Sequence, residues 1–164
     1  MMFIRTAGAS DLPAIRALLT ETWHATYDGI YGADKVTAIS DGWHSIASLK
    51  ARLDKPDAEF VVADDGIEIA GMAFASATDD GKTVQLSQLY VRPGRQGQGI
   101  GGMLLDEIID SFPDAERIRL EVEPANARAI AFYAAQGFVE VGRTQNCGGG
   151  QSGIAALVLE RALI

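Results

Sequence analysis

The sequence predicts an α/β (α+β) domain, with a mixed, mostly antiparallel central sheet of about six or seven strands flanked by about four helices. Three observations carry this reading. Short apolar runs bounded by Asp-Gly turns recur through the middle of the chain, the pattern of antiparallel hairpins. A strand, a glycine-rich turn, a helix and a second strand follow one another from residue 83 to residue 123, which sets two strands parallel with a right-handed crossover. Helical stripes of apolar residues occupy the first third of the chain.

Taken in order, Phe3-Ile4-Arg5 reads as a short first strand. Ser10-Asp11-Leu12-Pro13 is a helix start, with a cap residue, an early acid and proline in the first turn. Leu12, Ile15, Leu18, Leu19 and Thr22-Trp23 continue its stripe, and the helix is expected to end before Tyr27-Asp28-Gly29. A second helical region is expected over residues 33–52, broken near Ser40-Asp41-Gly42, with Trp43, Ile46, Leu49 and Leu53 at helical spacing. Phe60-Val61-Val62-Ala63 is a strand closed by Asp64-Asp65-Gly66, and residues 67–76 return as its partner, with Gly71 a close-packing or bulge position.

Asp79-Asp80-Gly81-Lys82 is the next hairpin turn, leading into a key strand over residues 83–91. Val84 and Leu86 set one alternating phase on it and Leu89 and Val91 the opposite one, so a β-bulge is expected near Ser87-Gln88. Residues 100–112 form the helix after the turn, stopped by Pro113. In the strand over residues 117–123, Ile118, Leu120 and Val122 alternate with Arg117, Arg119, Glu121 and Glu123. Asn126 caps the next helix and Gly137 ends it as a left-handed C-cap before a strand at Phe138. A flexible loop at Cys147-Gly148-Gly149-Gly150 precedes a last strand over residues 153–160. There are no repeats and no linker, so the chain reads as one domain over residues 1–164.

The chain is organised around Leu89-Tyr90-Val91-Arg92-Pro93-Gly94-Arg95-Gln96-Gly97-Gln98-Gly99-Ile100-Gly101-Gly102. Glycine lets backbone approach a bulky group, and the first amides of a helix point outward at the positive end of its dipole. A strand, a glycine turn and a helix start are thus a cradle for phosphate or pyrophosphate. No Gly-Lys-Ser/Thr follows, which excludes the nucleotide P-loop. Gly97-x-Gly99-x-x-Gly102, with Glu121 at a distance suited to a ribose carboxylate, matches the letters of a dinucleotide fingerprint. That fold wants the glycines in the first βαβ unit of a long alternating chain, and here they come late.

Gln96-x-x-Gly99-x-Gly101, followed by Asn126, Tyr133 and Gly137-Phe138, resembles the GNAT superfamily of acetyl-CoA-dependent N-acetyltransferases over residues 86–138. The resemblance implies that the loop binds the pyrophosphate of coenzyme A through Gln96, Gly97, Gln98, Gly99, Ile100, Gly101 and Gly102. It also implies that Leu89, Tyr90 and Val91 meet the pantetheine arm and that Asn126 and Tyr133 complete the cofactor site. Tyr133 then matches the family's general acid, and a phenol with a pKa near 10 suits protonation of a thiolate. A backbone N–H of Leu89 or Val91 can serve the oxyanion. The position at which some relatives carry a basic glutamate is Gln85, which cannot take a proton.

Leu120-Glu121-Val122, Asn126, Ile130 and Tyr133 resemble the acetyltransferases that modify the N-terminal alanine of a ribosomal protein, whose base glutamate matches Glu121. A solvated carboxylate paired with Arg119 or Arg92 is the other reading of Glu121. His24, Glu21 or a water chain are alternatives as base. Early helices wall the acceptor pocket in this family, so Trp23, His24, Tyr27 and Tyr31 are candidates for substrate binding, with Trp43 and His44 nearby. The same side chains also suit ordinary core packing. The activity implied is direct acetyl transfer to a primary amine of a small molecule or peptide. A non-catalytic acyl-CoA sensor on the same fold, and a dinucleotide-binding protein, are the alternatives.

Composition is that of a globular protein, 48% hydrophobic and 22% charged. A net charge of −8 without any basic run argues against nucleic acid as a partner. No apolar run is long enough for a membrane span, and the N-terminus lacks a signal-peptide layout. One cysteine excludes an internal disulfide, and two histidines argue against a metal site. A cytoplasmic protein is expected, and family habit adds a homodimer.

Overall fold

A computed structural model describes residues 1–147 and 153–164. Its seven strands form one sheet in the order β1-β2-β3-β4-β5-β7-β6. They are β1 (Phe3–Thr6), β2 (Ala58–Asp64), β3 (Ile69–Thr78), β4 (Thr83–Val91), β5 (Arg117–Val122), β6 (Val139–Thr144) and β7 (Ala156–Ala162). The five helices are α1 (Leu12–Tyr31), α2 (Ala33–Trp43), α3 (Ile46–Leu53), α4 (Ile100–Asp110) and α5 (Ala127–Ala135). The expected mixed, mostly antiparallel sheet is present, with one helix more than expected. The chain groups into two compact units: Met1–Phe74 with Gln88–Ser111, and Ala75–Ser87 with Phe112–Ile164.

In the first unit, β1 pairs antiparallel with β2, Phe3 opposite Asp64. Ile15, Leu18 and Leu19 of α1, Leu49 of α3, Val62 of β2 and Met72 of β3 are fully buried in its main apolar cluster. Helix α1 passes the expected stop at Tyr27-Asp28-Gly29 and runs to Tyr31, where Gly32 at φ +85° ends it. Burial of Tyr27 on the same stripe as Trp23 outweighs the cost of about 1 kcal/mol for an interior glycine. The expected break near Ser40-Asp41-Gly42 falls later, at His44-Ser45, where the Ser45 hydroxyl accepts from the Ser48 N–H and starts α3. Gly42 stays within α2 because Ser40 and His44 are buried and bonded to each other.

The turn after β2 is built by its aspartates. Asp64 accepts from the Gly66 N–H, and Asp65 accepts from Ile67 and Glu68. Strand β3 therefore begins at Ile69, and Ile67 projects into solvent at 95% exposure. A Cβ on Gly71 would lie 2.8 Å from the Tyr90 carbonyl, so this glycine permits close approach of backbone.

In the second unit β4 and β5 are parallel, Thr83–Leu86 against Arg117–Leu120, as the crossover requires. Ile118, Leu120 and Val122 are buried with the expected alternation. Strand β7 pairs antiparallel with both β5 and β6. The Gly-rich stretch 148–150 lies outside the described residues.

Along β4, Val84, Leu86 and Gln88 are buried and Ser87 is exposed, and past the expected bulge Leu89, Tyr90 and Val91 are all half-buried. Gln88 is thus a polar residue at a buried position of the strand. The register shift among the described pairings lies in β6, between Glu140 and Gly142.

Candidate active site

The first unit contains the glycine turn. Gly97 and Gly99 adopt φ +82° and +80°, with open space where a Cβ would stand. Gly99 is the N-cap of α4 in the left-handed region, and the Met103 N–H returns to its carbonyl at 3.1 Å. Glycine brings no capping side chain, and the first turn of α4 holds no acidic residue. The first amides of α4, at Ile100, Gly101 and Gly102, therefore carry no side-chain cap from Gly99 and stand at the positive end of the helix dipole. Aliphatic anchors below hold the helix: Ile100, Leu104, Leu105 and Ile108 are buried. The geometry fits a pyrophosphate.

Side chains around the turn fix its shape. The Gln96 amide donates to the Val91 carbonyl at 3.3 Å, closing the turn on the end of β4. Arg95 donates to Asp65 at 2.8 Å, to Glu68 at 3.2 Å and to the Gln98 side-chain oxygen at 3.2 Å. These bonds hold the Asp65 carboxyl far below the usual carboxylate range, the turn amide of Glu68 contributing most. Arg92 reaches the Ile69 carbonyl and the Glu21 carboxylate. Leu89, Tyr90 and Val91 are half-buried on β4.

The aromatic residues expected to meet substrate gather in one cluster of this unit. Trp23 and Tyr27 are buried, with ring centroids 4.6 Å apart, and Tyr31, Trp43 and Tyr90 pack against them. The Trp23 indole N–H donates to the Tyr90 hydroxyl at 3.2 Å, tying α1 to β4. Trp43 and His44 lie edge-on to Trp23 at 5.4 and 5.5 Å. His24 is half-buried, bonded to Asp28 at 2.6 Å through Nδ1 and to the Thr37 hydroxyl at 3.2 Å through Nε2, a tie between α1 and α2. Lys35 Nζ lies 4.9 Å from the centre of the half-buried Tyr31 ring.

Sequence reasoning passed over two polar side chains of this unit. Arg52 Nη1 and Gln88 Oε1 are buried without a hydrogen-bond partner among the described residues. The available signal was Arg52 three residues after Leu49, on the buried stripe of α3.

The second unit contains Asn126, Tyr133 and Glu121. Asn126 Oδ1 accepts from the Ala129 N–H at 3.2 Å and caps α5 as expected. At the other end Phe138 N–H meets the Tyr133 carbonyl at 3.0 Å and Gly137 N–H the Ala134 carbonyl at 3.1 Å, with Gly137 at φ +91°. This is a Schellman cap, and its accompanying apolar contact is the Tyr133 ring against Phe138, 5.3 Å between centroids. Tyr133 is buried, with Phe132 edge-on at 5.1 Å.

Glu121 is half-buried on β5 opposite Val158. Its expected arginine partners make other pairs: Arg119 donates to Glu160 at 2.6 Å, and Arg92 to Glu21. Burial, then the charge and hydrogen bonding of the Glu121 carboxylate and the charge of Glu123, push the Cys147 thiol up to about 12. Among the described residues no group of three or more His, Cys, Asp or Glu is placed to hold a metal ion, and no helix is long and apolar enough to cross a membrane.

The sequence profile of the acetyltransferase (GNAT) family matches residues 13–138, from the first helix through Tyr133 and Gly137. An uncharacterized N-acetyltransferase of Mycobacterium tuberculosis is 28% identical over 131 residues, 79% of this chain and 83% of that protein. The fold is shared with a PaiA N-acetyltransferase of Thermoplasma acidophilum, solved in complex with coenzyme A. That match has a TM-score of 0.86 at 21% identity and covers 99% of each chain. A ribosomal-protein alanine N-acetyltransferase of Escherichia coli matches with a TM-score of 0.74 at 23% identity, over 99% of this chain and 94% of that one. The family match over residues 13–138, which contains the glycine turn, places the chain in the acetyltransferase (GNAT) family, as an N-acetyltransferase with acetyl-CoA as its co-substrate.

Proposed function

We propose that the protein works as one catalytic domain that moves the acetyl group of acetyl-CoA directly to a primary amine of a small molecule or peptide. The observation that carries the reading is the start of α4, with its left-handed Gly99 cap, open space at Gly97 and Gly99, and no acid in the first turn. Acetyl-CoA supplies the activated thioester carbonyl. Main-chain amides of residues 97–102 hold its pyrophosphate, and β4 N–H groups of Leu89 or Val91 serve the pantetheine arm and the carbonyl oxygen.

Glu121 takes the proton shed by the amine through a water, the C–N bond forms as the C–S bond breaks, and the Tyr133 hydroxyl protonates the departing sulfur. Solvent then returns a proton to the phenolate. Asn126 caps α5 and so sets the helix that carries Tyr133. The aromatic cluster of Trp23, Tyr27 and Tyr31, with His24 beside it, supports an acceptor pocket walled by α1 and α2.

The test is a melting experiment with acetyl-CoA, coenzyme A and NAD, followed by CoA release across an amine panel. A ligand that binds only the folded state stabilises it by roughly 2.7 kcal/mol at a hundred times its dissociation constant. Both CoA forms are expected to raise Tm and NAD to leave it unchanged. Tyr133→Phe is expected to lower kcat about 10²–10⁴-fold with the CoA shift retained. Silence from both CoA forms would refute the reading.

A further inference from the structure

Arg52 sits in the last turn of α3. Its Nη2 donates to the Trp43 carbonyl at 3.1 Å, and the guanidinium lies 6.0 Å from the centre of the Phe74 ring. Nη1 is buried with no partner among the described residues. Burial holds this guanidinium below the ordinary arginine pKa. A desolvated cation of this kind is costly to keep unless an anion or further hydrogen bonds meet it.

Gln88 is the second such buried polar group, 7% exposed with its Oε1 lacking a partner among the described residues. It stands two residues before Tyr90 on β4, so the two side chains leave the same face of the strand. Tyr90 closes on Trp23 of α1, accepting the indole N–H at its hydroxyl. Arg52, bonded to the Trp43 carbonyl, and Gln88, on the strand face that carries Tyr90, thus both border the helical aromatic cluster, and each has a buried polar atom without a partner among the described residues.

A carboxylate beside an amine is the simplest chemistry that satisfies both: its oxygens accept from Arg52, and an N–H donates to Gln88. We propose that Arg52 and Gln88 form an acceptor subsite that selects amines bearing a carboxylate, amino acids foremost, over polyamines and uncharged amines. This rests on the acetyl-transfer reading above and specifies its substrate class.

The experiment uses the full-length enzyme with acetyl-CoA and free L-amino acids, each beside its methyl ester, with spermidine as the carboxylate-free amine. The best free acid is expected to exceed its ester at least tenfold in kcat/KM. Arg52→Met is expected to raise KM for that acid about 100-fold while the ester changes less than threefold. Arg52→Lys, which keeps the charge on a folded protein, is expected to fall between. With coenzyme A present, free acids should raise Tm of the wild type and leave Arg52→Met unmoved.

Equal rates for acid and ester, a preference for spermidine, or equal losses on both substrates in Arg52→Met would overturn the subsite while acetyl transfer stands. Absence of any CoA-dependent shift refutes the transferase reading instead. A Tm rise with free acids in the wild type alone would still support a carboxylate site in that case, and its absence would remove it.

Discussion

Gly71 and Gly99 show two different reasons for having no side chain, and substitution separates them. At Gly71 a Cβ would stand 2.8 Å from the Tyr90 carbonyl and 3.0 Å from a Leu104 methyl. Neither the strand nor the buried helix can retreat freely, so Gly71→Ala should cost about 2 kcal/mol, or about 6 °C in Tm. At Gly99 nothing stands within 4 Å, but φ is +80°. Gly99→Ala carries the left-handed penalty of about 1–2 kcal/mol and adds a methyl where the cradle must admit a phosphate. A melt with and without coenzyme A distinguishes the two. The Gly71 variant should lose intrinsic stability and keep most of its CoA shift, whereas the Gly99 variant should lose most of the shift itself. A full CoA shift in Gly99→Ala would remove the amides of this turn from the binding site.

Elements end where packing lets them, and the helices of this chain show both outcomes. In α5 the local signals and the tertiary contacts agree: Asn126 caps the start, Gly137 the end, and Tyr133 closes on Phe138. Asn126→Ala should therefore cost about 1 kcal/mol of stability, and Asn126→Asp, which keeps an acceptor for the Ala129 N–H, should recover it. If activity follows Tm across the two variants, Asn126 acts through the helix. If Asn126→Asp is stable yet raises KM for acetyl-CoA, the residue also meets the cofactor.

The same agreement made β5 legible, because Ile118, Leu120 and Val122 alternate without exception, and it made the glycine turn legible because its φ values demand glycine. The end of α1 was not legible. Gly29 is a local stop signal, and the burial that overrides it is known only once Tyr27 meets Trp23 and Val36. Arg52 and Gln88 were hidden for a related reason. A charged or amide side chain reads as surface in any single window, and only the fold shows that their ends are enclosed. Gly29→Ala tests this directly. No atom lies within 4 Å of the added carbon, so the variant should gain about 0.5–1 kcal/mol if α1 is continuous.

Stability of the molecule as a function of pH is set in the mildly acidic range by one side chain of the first unit. His44 is 1% exposed, its Nδ1 shares a hydrogen bond of 3.0 Å with the Ser40 hydroxyl, and Trp23 packs edge-on against the ring. Burial, with a smaller contribution from the positive charge of Arg52, lowers its pKa to about 4 from an ordinary 6.5. Between these values the unfolded chain binds a proton that the folded chain refuses, so stability falls as pH falls. The contribution is complete above pH 6.5, about 2 kcal/mol of it is gone by pH 5, and about 3 kcal/mol is gone below pH 4, where both states are protonated. The lowered carboxyls of Asp11 and Asp64 act below their unfolded value of 3.8, beneath the interval in which His44 acts. His44→Gln retains a hydrogen-bonding group for Ser40 and has no proton to gain. Urea midpoints at pH 7, 6 and 5 should therefore decline in the wild type and stay nearly level in the variant. Parallel declines in both proteins would mean that His44 reaches water in the folded state, and the enclosed end of α2 on which Arg52 rests would then have to be redrawn.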